Sequence, residues 1–526
     1  MRTRTNRLKA VDSCAGGWQD VNYYKGLNMR YSLLAAVAVC LAAPVLAAPA
    51  TPQRQAFAAA IATRHDATVQ MLRDWIALPT VAAMGMNVAQ GSEYMRKLAL
   101  DAGFQEAKII PSGGVPAVLA TLDAGAPATL GVYMMYDVKH FDPAEWTSPP
   151  LEGKLVDRPG VGQVIVGRGA VNQKGPQTAL LAALHAFKAT GRKLPVNLVL
   201  IAEGEEEIAS TNFPKVIANP EVAAALKRTI GVIGASALQS PQGVAGISLG
   251  AKGAVEFQLI VGGETSDRYP KADVHSSTHA RIESPAWRLV KALDTLVADD
   301  GHTPAIDGWF ENVRPLTARQ KAIIATGLKG ASEADAKAQA GVGRWIGDED
   351  FQTSTERLLS QPTVNIQGLV SGYMGPGGKT VLPARAEAKL EFRLVPDMTR
   401  AEAEAKLKAH LAKRGFDDVK VVFSGGYGPN QTDENAALVK AQQRTLDKAG
   451  IPYRLIVRNA GSWPGVMFNG APLNLPTGQF GLGRGSGAHA PNEWYLIRSD
   501  DPKVAGIDET ALAFVDLFYE LAASAE

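Results

Sequence analysis

Three stretches of the chain, AVLATL (117–122), TLGVYMMYDV (129–138) and VNLVLIAEG (196–204), are apolar on both of their alternating faces and close on polar or acidic residues. A strand that is apolar on both sides must be covered on both sides, which demands a sheet sandwiched between helices. The segment GPQTALLAALHAFKATG (175–191) supplies helical spacing between the second and third runs. The fold class is therefore α/β. In such sheets ligands collect beyond the carboxyl ends of the strands. Asp137, Asn172 and the acidic run Glu205, Glu206, Glu207 fall at or just after those ends.

Near Gly250 the pattern changes. AVEFQLIVGG reads as a strand, ESPAWRLVKALDTLVAD as a helix, KTVLPARAEAKLEFRLVPD as a strand pair and RAEAEAKLKAHLAKRG as a helix. This order predicts a smaller α+β unit over 251–424. A charged, Ala-rich stretch at 315–345 is expected as surface helix. The α/β pattern, which first covers 53–250, resumes over 425–526 and closes on GLGRGSGAHAPNEWYLI. The second unit is thus inserted into the first.

The N-terminus is read separately. Residues 1–28 carry no apolar periodicity and read as a non-native extension. MRYSLLAAVAVCLAAPVLAA (29–48) has the basic start, short apolar stretch and small-residue end of a secretory signal. Residues 1–30 hold six basic and two acidic side chains, so cleavage takes the formal charge from +2 to −2. No basic footprint for nucleic acid or anionic lipid then remains. Both cysteines, Cys14 and Cys40, go with the removed part, leaving neither disulfide nor thiol chemistry. The expectation is an exported protein, periplasmic or secreted, with no membrane attachment after cleavage.

EGEEEIAS (203–210) puts consecutive carboxylates after a buried strand. They are either a solvated helix start or a group with a cationic or catalytic task. YDVKHFDPAEWTSPPLEGKL, GRGAVNQKGP, EGEEEIAS, DVHSSTHARIESPAW, GPGGKTVLPARAEAKLEFRLVPD and GSGAHAPNEW follow one another in the chain. Together, from about residue 55 to the C-terminus, they resemble the M20 metallopeptidases, the carnosinase and carboxypeptidase-type hydrolases. The resemblance implies an aminopeptidase-type α/β domain with an inserted lid or dimerisation domain. It also implies two zinc-type ions held by a His, a bridging Asp, a Glu, a second Asp and a late His, with a neighbouring Glu as general base.

Carried over residue by residue, that ligand set is incomplete. Met135 stands at the first His, ahead of Asp137. Asn172 stands at the bridging Asp, followed by Gln173, and Ala235 is the best match to the second Asp. Glu207 and His489 match the ligand Glu and late His, and Glu206 matches the general base. Without dications, leftover carboxylates in a poorly hydrated cleft would repel one another, so neutral groups here mark a site adapted to lacking a two-metal centre. A single divalent ion on Glu207, His489 and the Asn172 carbonyl, or none, is expected. His140 reads as a surface histidine.

Substrate-handling positions are better kept. His275 in DVHSS matches the lid histidine that polarises the scissile carbonyl from the partner subunit. Arg393 in FRLVPD matches the arginine that binds the substrate carboxylate, and Ser462 in NAGSWPG offers a further contact. The reading is a hydrolase of an amide or peptide bond in a small, dipeptide-like, carboxylate-bearing substrate. A non-catalytic small-ligand binder, or non-hydrolytic chemistry through Glu206, stand as alternatives. A homodimer through the lid is implied, with AVEFQLIVGG expected at its sheet edge.

Overall fold

The computed structural model describes residues 51–524. The 1–28 extension, the 29–48 signal pattern, Cys14 and Cys40 lie outside the described residues. The chain opens with three helices, α1 (Pro52–Thr63), α2 (His65–Ala77) and α3 (Val88–Ala102). The strands that follow are β1 (Glu106–Ile110), β2 (Ala117–Leu122), β3 (Thr129–Met135), β4 (Lys154–Arg158), β5 (Gly162–Val166), β6 (Asn197–Glu203) and β7 (Val232–Ala235). Helix α4 (Gly175–Thr190) precedes β6.

The main sheet runs β1-β2-β6-β3-β7 and ends on β12 (Thr477–Phe480). β6, β3, β7 and β12 are mutually parallel, β2 runs against them, and the edge strand β1, antiparallel to β2, runs in their direction. Both faces are buried, as the double-sided apolar runs require. Leu130, Val132, Met134 and Leu200 pack under α4 and the last helix, α11 (Ile507–Ala522). Tyr133, Met135, Val199 and Ile201 face Phe213, Trp463 and Phe468 on the other side. Register aligns Met135 with Glu203 and Tyr133 with Gly234, so β3, β6 and β7 all end at one level. That shared edge is the floor of the site.

The inserted unit is a four-stranded antiparallel sheet. Its strands are β8 (Gly253–Gly262), β9 (Thr363–Ser371), β10 (Arg385–Leu394) and β11 (Lys420–Tyr427), in the order β9-β10-β8-β11. One face packs on α5 (Pro285–Asp294) and α9 (Arg400–Lys413) through Leu289, Leu293, Leu407 and Leu411. The expectation that AVEFQLIVGG forms the edge is corrected. It is β8, paired on one side to β10 and on the other to β11. Its burial is the sign of an interior strand; the edges are β9 and β11, and β9 exposes Ile366, Leu369 and Val370.

The 315–345 stretch forms two helices, α6 (Ala318–Gly327) and α7 (Glu333–Ala340). α7 buries no residue, as a surface helix should. α6 differs: Ile323 and Ile324 anchor it to the core of the main sheet. Helices α8 (Phe351–Ser360) and α10 (Ala437–Ala449) complete the count used here. A small sheet of β4, β5 and β13 (Trp494–Ser499), extended by Gly485–Ser486, lies beside the turn that carries Asn172.

Candidate active site

The turn GRGAVNQKG is built around one carboxylate. Glu493, just before β13, accepts from Arg168 Nη1 at 2.8 Å and from the backbone N–H groups of Gly169, Val171 and Asn172 at 2.9 Å each. Arg168 and Glu493 are both buried, so this pair depends on its full set of hydrogen bonds. Gly169 has φ +84°, and a Cβ there would meet Val138 Cγ1 at 2.7 Å, which explains the glycine. Lys174 closes the turn from below, donating to the carbonyls of Trp75 at 2.7 Å and Leu78 at 3.1 Å. The Asn172–Gln173 peptide is cis.

The turn delivers Asn172 onto the strand-end floor. Its Nδ2 donates to Glu207 Oε1 at 2.7 Å and lies 3.1 Å from His489 Nε2. His489 Nε2 is 3.0 Å from Glu207 Oε2, and Lys139 Nζ is 3.6 Å from the same oxygen. The glutamate raises the imidazole's affinity for a proton, favouring the charged ring. Asn172, Glu207 and His489 are thus brought together, as the sequence predicts, but by contacts among themselves.

Asp137 has a different task from the orienting one implied by the resemblance. It accepts from the backbone N–H of Glu207 at 3.0 Å and of Glu206 at 3.3 Å, fixing the acidic turn in place. Burial, and then Glu207, raise its carboxyl well above the usual carboxylate range. Glu203 is raised likewise by burial and Asp137, and accepts from Tyr133 Oη at 2.9 Å and Ser210 Oγ at 3.0 Å. Burial and Glu207 push Glu206 up to about 8, and Tyr427 Oη approaches its Oε1 at 3.3 Å.

A cavity of about 110 Å³ sits over this floor, lined by Met135, Asn172, Gln173, Glu206, Ala235 and His489 among others. It tests the implied metals directly. Met135 offers a thioether, Ala235 no donor, and Asn172 presents its N–H side to both remaining ligands. Met135 is also fixed by Gln177, which bonds its backbone N–H and carbonyl at 2.8 Å each. Among the described residues no group of three or more His, Cys, Asp or Glu side chains is placed to hold a metal. The residues present therefore do not fit a two-metal centre.

Of the substrate positions, Ser462 and Arg393 meet: Arg393 Nη1 donates to Ser462 Oγ at 2.7 Å, and Ser462 lines the cavity. His275 lies on the lid, exposed, with Nδ1 2.8 Å from Ser277 Oγ, and does not line the cavity of its own chain. His140 is exposed. Sequence reading passed over Glu493, Glu203, Tyr427, Lys139, Gln177 and Glu391. Glu493 stood in plain view, four residues after His489 in GAHAPNEW, and Glu203 opens the acidic run. Nothing local singled out Tyr427 or Glu391.

Comparison with known proteins bears on what this geometry serves. The model of peptidase family M20/M25/M40 matches residues 136–511. A Cys-Gly metallodipeptidase of Saccharomyces cerevisiae is 26% identical over 475 residues, covering 85% of this chain and 94% of the relative. The human Beta-Ala-His dipeptidase is 27% identical over 436 residues, covering 75% and 80%. Among solved structures, an M20 family metallo-carboxypeptidase from Sulfolobus solfataricus superposes with a TM-score of 0.76 at 29% identity, covering 86% of this chain and 99% of that one. Human carnosine dipeptidase 1 gives a TM-score of 0.72 at 23% identity, covering 89% and 100%.

Proposed function

Because the chain belongs to peptidase family M20/M25/M40, we propose that it hydrolyses the peptide or amide bond of a small, dipeptide-like substrate with one weakly held divalent ion or none. The observation that carries this reading is Glu206, a carboxyl that burial and Glu207 keep protonated up to about pH 8 at the wall of the cavity. Beside it Glu207 is held by Asn172, His489 and Lys139. Two neighbouring carboxyls, one at the cavity wall and one held by its neighbours, are the arrangement through which a proton can be taken up and passed on.

In this scheme water adds to the scissile carbonyl carbon and gives its proton to a carboxylate of the pair. Glu206 delivers its proton to the nitrogen as the C–N bond breaks. Tyr427, close to Glu206, orients that carboxyl. Zinc-type chemistry, where a cation is bound by Glu207 and His489, would polarise the carbonyl. The yeast and human relatives named above are dipeptidases, which favours substrates of two residues.

One observation favours a second reading, a binder that no longer cleaves. Asn172 Nδ2 reaches both Glu207 and His489, filling with an amide the space between the two surviving ligands. The proposal also includes export, on the strength of the 29–48 pattern. It includes a homodimer through the lid as well, supported by the exposed apolar residues of edge strand β9.

The test is hydrolysis of Cys-Gly and β-Ala-His by chelator-treated protein, with Glu206→Gln alongside. Chelator-resistant cleavage that falls at least 100-fold in the variant supports the hydrolase. Dipeptide binding without cleavage supports the binder. Cleavage that needs two equivalents of zinc overturns the metal-poor centre.

A further inference from the structure

Arg393 does not stand open to a ligand. It donates from Nε to Glu391 Oε1 and from Nη2 to Glu391 Oε2, each at 2.7 Å, so the glutamate fills one fork of the guanidinium with two parallel bonds. That is the geometry by which an arginine takes a carboxylate. Its Nη1 is engaged by Ser462 at 2.7 Å. The two residues are two apart on β10 and therefore share a face. Ser462 reaches the cavity, so the chain of contacts runs from the cavity wall through Arg393 to Glu391 in the lid.

Glu391 has nowhere else to go. The residues directly across from it are Glu256 on β8 and Asn365 on β9, an acid and an amide. Its carboxylate is 11% exposed, against 30% for the arginine. A ligand carboxylate that took over the filled fork would leave Glu391 buried opposite another acid, without a cation. Breaking a buried pair in that way is the costly case, and like charges facing one another across strands add to it.

We propose that Glu391 is a specificity-determining residue, an internal carboxylate that occupies the Arg393 fork and makes the site select ligands whose end group there is neutral, such as a carboxamide. A guanidinium has five N–H donors, and Glu391 and Ser462 use three of them. The remaining two can donate to the carbonyl oxygen of an amide, but the charge of Arg393 itself is already matched by Glu391. This rests on the reading of the cavity as a dipeptide-like site and changes the substrate class expected there. The carboxylate that Arg393 suggests in the sequence is supplied by the protein itself.

Two measurements test it. The first is calorimetric binding of Ala-Gly and its C-terminal amide to wild type, Glu391→Ser and the isosteric Glu391→Gln. Wild type is expected to bind the amide at least as tightly as the acid. Both variants should shift the acid-to-amide preference toward the acid by tenfold or more, about 1.4 kcal/mol. The second is the rate at which phenylglyoxal, an arginine reagent, modifies Arg393, read by peptide mapping. This rate should rise about tenfold in the variants by the loss of the shielding pair. A tenfold acid preference already present in wild type overturns the inference, as does an unchanged preference in both variants. An unchanged phenylglyoxal rate locates the failure in the Glu391–Arg393 pair. A raised rate with no binding of either probe locates it in the dipeptide-site reading, and the inference falls with that reading.

Discussion

Two buried carboxylate neighbourhoods meet at Asn172, and they are provided for in opposite ways. Glu493 has an arginine and three backbone N–H groups to itself. The strand-end floor gathers Asp137, Glu203, Glu206 and Glu207 with Lys139 and His489 as the cations named at its edge. In the first, burial raises the carboxyl as well, but an arginine and three N–H groups oppose it. In the second, burial and mutual repulsion drive Asp137, Glu203 and Glu206 toward their protonated forms. The difference teaches that the turn which aims the site is supplied with donors of its own, while the floor it faces carries neutral groups at Met135, Asn172 and Ala235.

The largest effect should come from cutting the well-supplied neighbourhood. Glu493→Ala leaves Arg168 buried and unpaired, together with three N–H groups, and should cost about 3–5 kcal/mol in urea denaturation. Glu203→Gln, by contrast, removes a charge that burial disfavours, keeps an oxygen to accept from Tyr133 and Ser210, and should cost less than about 1 kcal/mol. Equal losses in the two variants would break the comparison.

Rebuilding the depleted neighbourhood comes next. The combined variant Met135→His, Asn172→Asp, Ala235→Asp restores the donors that the family pattern calls for. Zinc at 100 times its dissociation constant should stabilise it by about 2.7 kcal/mol. Wild type should show a smaller gain or none in the same thermal melts. If wild type gains as much, the substitutions did not dismantle the centre.

The pH dependence sharpens the comparison further. Glu206 rises from an ordinary 4.5 to about 8 in the folded protein. Between those values the folded state holds a proton that the unfolded chain has released, so stability is full below pH 4.5 and declines as pH rises toward 8. The decline has a ceiling of about 1.4 kcal/mol per pH unit for one such group. Glu206→Gln should make it shallower by the share of that one group, leaving the decline that Asp137 and Glu203 contribute. A wild-type stability that climbs with pH across the window would contradict the assignment. Smallest of all, Ile366→Lys on the exposed edge β9 should alter unfolding by no more than about 0.5 kcal/mol. If β9 carries the dimer, sedimentation should still report a change in association.

The sequence made the architecture legible where burial forces a pattern. AVLATL, TLGVYMMYDV and VNLVLIAEG could only be strands covered twice, and the residues at 135 and 172 could be read from their place in ordered motifs, whereas Ala235 was only the best match. It was mute where a pattern is weak or distant. β9, TVNIQGLVS, is largely exposed and gave no clear alternation, so the lid's edge was assigned to the apolar β8. Glu391 showed as one acid among several in AEAKLEFRL.

What the sequence determined by itself was the family and the α/β fold, because periodic burial and ordered motifs are local properties of the chain. Tertiary structure alone decided the pairings. It brought Asn172 to Glu207 and His489, gave Glu493 its four donors, and set Glu391 into the fork of Arg393. A side chain's charge is written in the sequence, but whether that charge is matched, stranded or neutralised depends on which distant groups the fold places within hydrogen-bonding reach.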